Sequence, residues 1–131
     1  MVMGAEWFKN AIIYHILIDR FAGVTNPERW EQPEFIGGNL RGIINKLDYL
    51  TDLGINAIWL SPFCQTNDYH GYHVTDFHKV EPRFGTLDDL KELIDKAHQS
   101  GIKIIADFVP NHCSRHHRFF RAAQADKASG N

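Results

Sequence analysis

Two short clusters of polar and aromatic residues have the types and positions that a binding site needs. Residues 107–112, Asp-Phe-Val-Pro-Asn-His, follow the apolar run 102–106, and residues 70–73, His-Gly-Tyr-His, come after an earlier apolar run at 55–60. Polar side chains at the C-terminal ends of buried parallel strands usually face a site rather than bulk water. Because parallel strands end at the same edge of a sheet, we expect the two clusters to form one pocket rim.

Hydrophobic patterning predicts the elements that would hold these clusters. Near-continuous apolar runs predict three strands, the first of them buried on both faces, at residues 11–18, 55–60 and 102–106. Apolar residues spaced three and four apart predict helices over about residues 40–53 and 87–97. Asn39 and Thr86 are the predicted N-caps. Residues 61–85, rich in His, Asp, Tyr and Gly, are predicted to form one long loop.

The order β-α-β-α-β predicts an α/β fold with parallel strands and right-handed crossovers. A doubly wound sheet usually has a glycine fingerprint directly after its first strand, and none is present; the glycines of residues 37–42 follow a long loop with the wrong spacing. Long loops after strands and short ones after helices favour a TIM barrel instead. Because a barrel needs about eight such units over ~250 residues, the chain would be a partial (β/α)8 barrel covering about three strands.

Composition excludes several function classes. The chain has 131 residues, 44% hydrophobic and 23% charged, with a formal net charge of −2, which is ordinary for a globular domain and favours neither nucleic acid nor an anionic membrane as a partner. No apolar run approaches the ~20 residues of a membrane span. The N-terminus lacks signal-peptide features, so we expect a cytoplasmic protein if Met1 is the true start.

The cysteines and histidines invite two further interpretations. Cys64 and Cys113 are too few for a disulfide scaffold; two free thiols are favoured over a disulfide between them. A structural zinc site can be considered where such ligands are close in sequence, at His112, Cys113, His116 and His117. Pro110 and the strand end argue against a helix at His112, and no Cys-x-x-Cys pair completes the set. Residues 115–118 are therefore interpreted as a solvated surface patch, and mid-strand His15 and Trp59 as packing residues.

Several segments in order resemble the α-amylase family of glycoside hydrolases, family 13. Each segment is weak evidence alone, but their order and spacing are specific; they are residues 14–21, 38–42 with 53–62, 70–72, 84–86 and 107–112. The resemblance covers nearly the whole chain. It implies an enzyme that acts on α-linked glucans or maltooligosaccharides, built on a TIM barrel.

The resemblance also implies roles for matched positions. Tyr72 would stack on the sugar ring at the cleavage point, because flat aromatic faces suit sugar C–H surfaces. His112 would donate a hydrogen bond to a hydroxyl of the same sugar, and His70 would line that subsite. Asp107 would support the polar network without being the acid or the nucleophile. Asn111 would ligate calcium, as in members that keep that site.

The same resemblance implies that the catalytic groups lie elsewhere. A retaining glycosidase needs a carboxylate nucleophile and a carboxylic acid about 5–5.5 Å apart, and in this family they follow strands four and five. We therefore assign no catalytic residue within residues 1–131, which are expected to be the N-terminal part of the barrel and inactive alone. His73 stands where many members have Asp, which argues against an exo-acting oligoglucosidase.

Alternatives remain open at this point. Within the enzyme class, a transglycosylase or an isomaltose-cleaving relative fits the same residues. From another class, a truncated, non-catalytic sugar-binding or remnant domain also fits. An incomplete barrel would expose strand edges and apolar faces, so self-association through these edges is expected.

Overall fold

The computed structural model describes residues 6–130. The strands are β1 (Ile13–Ile16), β2 (Ala57–Leu60), β3 (Cys64–Thr66), β4 (Val74–Val80) and β5 (Lys103–Ala106). The helices are α1 (Ile18–Phe21), α2 (Leu40–Ile44), α3 (Leu47–Asp52), α4 (Leu87–Gln99) and α5 (Arg118–Ala128), and two 3-10 turns cover Glu6–Asn10 and Pro27–Arg29. None of the helices in the described range is both long and apolar enough to cross a bilayer.

A parallel sheet with the strand order β1-β2-β5 organises the molecule, as the sequence predicts. One face packs Ile16, Ile58 and Leu60 against the apolar sides of α2, α3 and α4. The prediction that the first strand is buried on both faces is wrong. Ile13 is 41% exposed, because the opposite face of the sheet carries no covering layer among the described residues.

This uncovered face corrects two further predictions. His15 and Trp59 are in register on β1 and β2, and both are exposed instead of lying in the core. Their rings stack with centroids 4.1 Å apart. Large apolar side chains are also exposed near this face and at the ends of its strands, namely Ile12, Ile13 and Phe108.

The helix predicted over residues 40–53 is two shorter helices, α2 and α3. Asn39 caps α2 as expected, since its side chain accepts a hydrogen bond of 2.8 Å from the amide of Gly42. Lys46 has φ −108° and ψ 6°, which interrupts the helix. Asn45 precedes it and has low helix propensity. The predicted capping box of α4 is confirmed, with Thr86 and Asp89 bonding reciprocally to each other's backbone amides.

The long loop predicted over residues 61–85 contains an antiparallel hairpin, β3 and β4. Its base is held by the carboxylate of Glu81, which is only 2% exposed. This carboxylate accepts hydrogen bonds of 3.0 Å from the amide of Thr66 and of 3.0 Å from the guanidinium of Arg83. Register shifts within β3 break the alternation that would have marked it as a strand.

Helix α5 was not predicted from the sequence. Its N-cap is His117, whose Nδ1 accepts a hydrogen bond of 3.2 Å from the amide of Phe119. His117 is 3% exposed, so the interpretation of residues 115–118 as a uniformly solvated patch is wrong at this residue.

A buried ion pair fixes the loop after β1. Asp19 contacts Arg20 and also accepts hydrogen bonds from the amides of Ile36 and Gly37. Arg20 donates to the carbonyl oxygens of Gln32 and Glu34. Burial raises the pKa of Asp19, while the two amides and Arg20 act in the opposite direction. The pair thereby holds residues 22–38 against the C-terminal end of β1.

Two glycines with the same backbone angle provide a test of the hairpin turn. Gly71 and Gly54 both have φ +84°, but a Cβ at Gly71 would lie 2.1 Å from the carbonyl oxygen of Pro62, whereas one at Gly54 would meet nothing within 4 Å. Gly54→Ala should cost about 1 kcal/mol of unfolding free energy through backbone strain alone. Gly71→Ala should cost at least ~2 kcal/mol more, because the turn must also move. Urea denaturation of both variants measures the difference; equal losses would contradict the close approach.

Candidate functional site

The carboxylate of Asp107 joins the sheet to the hairpin. Its Oδ2 accepts a hydrogen bond of 2.7 Å from the hydroxyl of Tyr72 and one of 3.1 Å from the indole nitrogen of Trp59. Asp107 directly follows β5 and Trp59 lies on β2. These two adjacent strands therefore bring Asp107 and Trp59 together at the C-terminal end of the sheet. Trp59 is therefore a polar partner of the site, a role that its place in an apolar run gave no sign of.

The backbone of Tyr72 is held by two histidines. Its amide donates to Nδ1 of His70 at 3.1 Å, and its carbonyl oxygen lies 2.9 Å from Nε2 of His112. Since a carbonyl oxygen only accepts, Nε2 of His112 carries the hydrogen in this contact. The structure thus brings Tyr72, His112, His70 and Asp107 together at one edge of the sheet, where the sequence expected them. Whether they contact a sugar stays a prediction.

The electrostatics keep the Tyr72 hydroxyl protonated. Burial, together with the hydrogen bond to Asp107 and the negative charge of Asp107, raises the pKa of Tyr72 to about 12. The phenol therefore remains a hydrogen-bond donor at neutral pH. Burial also lowers the pKa of His70, although the nearby Asp68 acts in the opposite direction. An uncharged His70 can accept from the Tyr72 amide, which is the contact observed.

The segment after β5 is fastened to the hairpin by Ser114. Its amide donates to the carbonyl oxygen of Val74 at 2.9 Å, and its hydroxyl donates to the side-chain oxygen of Asn67 at 2.8 Å. The hairpin turn is itself closed by a bond of 3.0 Å from the amide of Gly71 to the carbonyl oxygen of Asp68. His112, two residues before Ser114, is consequently held close to Tyr72.

An open cavity of about 890 Å³ lies beside these residues. Asp68 and His73 of the hairpin turn line one wall, and His112 lines another with residues from the segment after β5 and from α5. Tyr72 and His70 do not line it. Because His73 directly follows Tyr72 in the chain, the cavity lies next to Tyr72.

The metal and thiol predictions have different outcomes. Asn111 is exposed and can offer one oxygen, which fits calcium, but within residues 6–130 the one cluster of three acidic, histidine or cysteine ligands is elsewhere. Because calcium takes six to eight oxygens, the rest of such a site would have to come from carbonyls or further residues. The zinc set considered around His112 does not assemble among the described residues.

Cys64 and Cys113 are both free, and burial raises the pKa of the Cys64 thiol.

Known proteins resemble this chain over most of its length. The family model described as alpha amylase, catalytic domain, matches residues 15–131. Alpha-amylase 2 of Dictyoglomus thermophilum is 46% identical over 125 residues, which is 94% of this chain and 22% of that protein. Oligo-1,6-glucosidase IMA5 of Saccharomyces cerevisiae is 38% identical over 130 residues, 98% of this chain and 21% of that protein.

A solved structure shows the same similarity. The α-amylase from Geobacillus thermoleovorans, solved as a complex with acarbose, superimposes on this chain with a TM-score of 0.79 at 39% identity. The match covers 90% of this chain and 27% of the amylase. The chain therefore spans about a fifth of the length of the curated relatives it matches. The expected recognition and fold are confirmed: the parallel sheet is part of a TIM barrel, and the chain belongs to the α-amylase catalytic-domain family of glycoside hydrolases, family 13.

Proposed function

We propose that the intact protein containing this chain is an α-amylase-type glycoside hydrolase that cleaves α-linked glucans or maltooligosaccharides by a retaining mechanism. The observation that carries the proposal is the fixed Tyr72 ring, held by Asp107 at its hydroxyl and by His70 and His112 at its backbone. The similar proteins include an α-amylase and an α-amylase solved with acarbose, which supports a sugar as the ligand of this ring.

The four residues divide the work of holding the sugar. The face of Tyr72 packs against the sugar ring, and His70 lines the same subsite. His112 binds a sugar hydroxyl, and to donate from Nε2 it must exchange the Tyr72 carbonyl for that hydroxyl. Asp107 is a positioning residue, because its Oδ2 already accepts from Tyr72 and Trp59 and so orients the Tyr72 ring.

The chain supplies substrate contacts and not the reacting carboxylates. We propose that residues 1–131 are the N-terminal part of the barrel, and that the nucleophile and the acid come from strands that follow in the intact protein. Asn111 would contribute one oxygen to a calcium site that those further residues complete. Calcium there would tie the segment after β5 to the residues that complete the site.

Substitutions at the ring test the proposed subsite. In the intact protein, Tyr72→Ala and His112→Ala should each lower kcat/KM on a chromogenic maltooligosaccharide by at least ~10-fold, because contacts to the reacting sugar are lost. Tyr72→Phe keeps the stacking face and should lose less than Tyr72→Ala. Tyr49→Ala, an exposed tyrosine on α3, is the control and should leave the kinetics unchanged. Wild-type kinetics in both Tyr72→Ala and His112→Ala would remove these residues from the site.

The positioning role of Asp107 can be tested by its coupling to Tyr72. If Asp107 acts through the Tyr72 hydroxyl, Asp107→Asn and Tyr72→Phe should both reduce kcat/KM, and the double variant should be little worse than the more severe single one. Asp95→Asn, an exposed carboxylate on α4, is the matched control. Fully additive losses would mean that Asp107 acts on something other than Tyr72.

The uncovered face of the sheet, with its exposed apolar side chains, gives an expectation for residues 1–131 produced alone. Residues 1–131 produced alone should not hydrolyse a chromogenic maltooligosaccharide, and should self-associate as concentration rises, because the apolar face needs a cover. Turnover assays and analytical ultracentrifugation measure both. Activity abolished by replacing a carboxylate within this chain, or a stable monomer with a sharp melting transition, would contradict these expectations.

A further inference from the structure

The turn between β3 and β4 collects three side chains that commonly bind metal ions. Asp68, His70 and His73 each offer a ligand atom, and these atoms all lie within 4.8 Å of one another. We propose that this set is a binding site for a divalent transition-metal ion, with Zn²⁺ as the ion it fits best. Two imidazoles and one carboxylate suit Zn²⁺, whereas Ca²⁺ prefers oxygen ligands in larger number.

Backbone hydrogen bonds fix the positions of the three residues in the turn before an ion binds. The turn is closed by the bond of 3.0 Å from the amide of Gly71 to the carbonyl oxygen of Asp68. The carbonyl oxygen of His73 accepts from the hydroxyl of Thr66 at 3.1 Å and from the amide of Asn67 at 3.3 Å. The positive φ of Gly71 and its close approach to Pro62 leave this turn little freedom. The ligand atoms lie up to 4.8 Å apart here, whereas ligand atoms around Zn²⁺ are ~3.3 Å apart. Ligation therefore requires side-chain rotations that move these atoms by about 1 Å.

Two of the three side chains are already in contact, and a metal ion would replace the hydrogen between them, because only an unprotonated nitrogen binds a metal. Asp68 contacts His73 through its carboxylate and Nδ1, and both side chains are partly exposed, 37% and 52% respectively. The rings of His70 and His73 are edge to face with centroids 5.0 Å apart. Three protein ligands leave at least one coordination position for water. The open cavity beside Asp68 and His73 gives the ion a path from solvent.

Metal binding would disturb the ring next to it. Nδ1 of His70 accepts from the Tyr72 amide, so either that nitrogen binds the metal and gives up the contact, or Nε2 binds and the imidazole hydrogen moves to Nδ1. In both cases the Tyr72 amide loses its acceptor. This consequence rests on the proposed function: an ion at this turn would weaken sugar binding at Tyr72.

The site can be tested in the intact protein by its ligand set. Wild-type protein is first stripped of metal by exhaustive chelation. When Co²⁺ is then added, the visible absorption of protein-bound Co²⁺ should appear, and one equivalent of Zn²⁺ should displace the Co²⁺. His73→Ala and Asp68→Asn should each weaken Zn²⁺ binding at least ~10-fold. The matched control is His98→Ala, an exposed histidine near the end of α4, and should bind Zn²⁺ as the wild type does. Equal Zn²⁺ affinity in all four proteins, or no Zn²⁺ binding by the wild type, would overturn the proposal.

A second measurement separates this site from the proposed activity. In buffer that contains Ca²⁺ but no Zn²⁺, maltooligosaccharide binding by calorimetry tests the proposed function alone. Adding Zn²⁺ should weaken that binding in the wild type and in His98→Ala, and much less in His73→Ala relative to its own value without Zn²⁺. If Zn²⁺ leaves the sugar affinity unchanged while Co²⁺ spectra show that the site can be filled, the proposal that the metal weakens sugar binding is overturned. Absence of sugar binding in the Zn²⁺-free buffer would count against the proposed function and not against the Zn²⁺ site.

Discussion

The carboxylate of Asp107 is the interaction on which the geometry of the site depends. One oxygen of this group accepts from both Trp59 and Tyr72. Trp59 is fixed by the register of β2 with its neighbours, and Asp107 by its place at the end of β5. The sheet therefore decides where the acceptor lies, and Tyr72 is brought to it by the hairpin. Hydrogen bonds to a charged acceptor each contribute about 1.5–3 kcal/mol, enough to select one orientation of a ring with two rotatable bonds.

The polar contacts of Tyr72 also explain why two histidines stand beside it. Its amide and carbonyl face outward from a tight turn, where neither can join the ladder between β3 and β4. His70 accepts from one and His112 donates to the other, so both backbone groups of Tyr72 have a partner. Under the proposed function, His112 would exchange its bond for one to a sugar hydroxyl. One set of atoms would then serve both the turn and the subsite.

The sequence predicts well where long-range pairing is not needed. Three strands, the cap at Asn39 and the capping box at Thr86 follow from local pattern and are present. The hairpin escapes prediction because register shifts and polar residues interrupt its alternation. The exposure of His15 also escapes, because an apolar strand is assumed to be covered on both sides and here one cover is absent from the described residues. The bond from Trp59 to Asp107 depends on strand register, which local pattern does not give.

The hydrogen bonds that hold Tyr72 all come from this chain, whereas one face of its sheet has no cover among the described residues. Asp107 accepts from Trp59 and Tyr72, and His112 donates to Tyr72, so these bonds all lie between residues 59 and 112. None of these bonds needs a further strand, whereas the uncovered face around Ile13 does. The part of the fold that holds the ring is therefore local to β2, β5 and the hairpin. It meets the uncovered face at Trp59, whose indole bonds to Asp107 and stacks on His15, so the cover of this face would also lie against the residues that hold the ring.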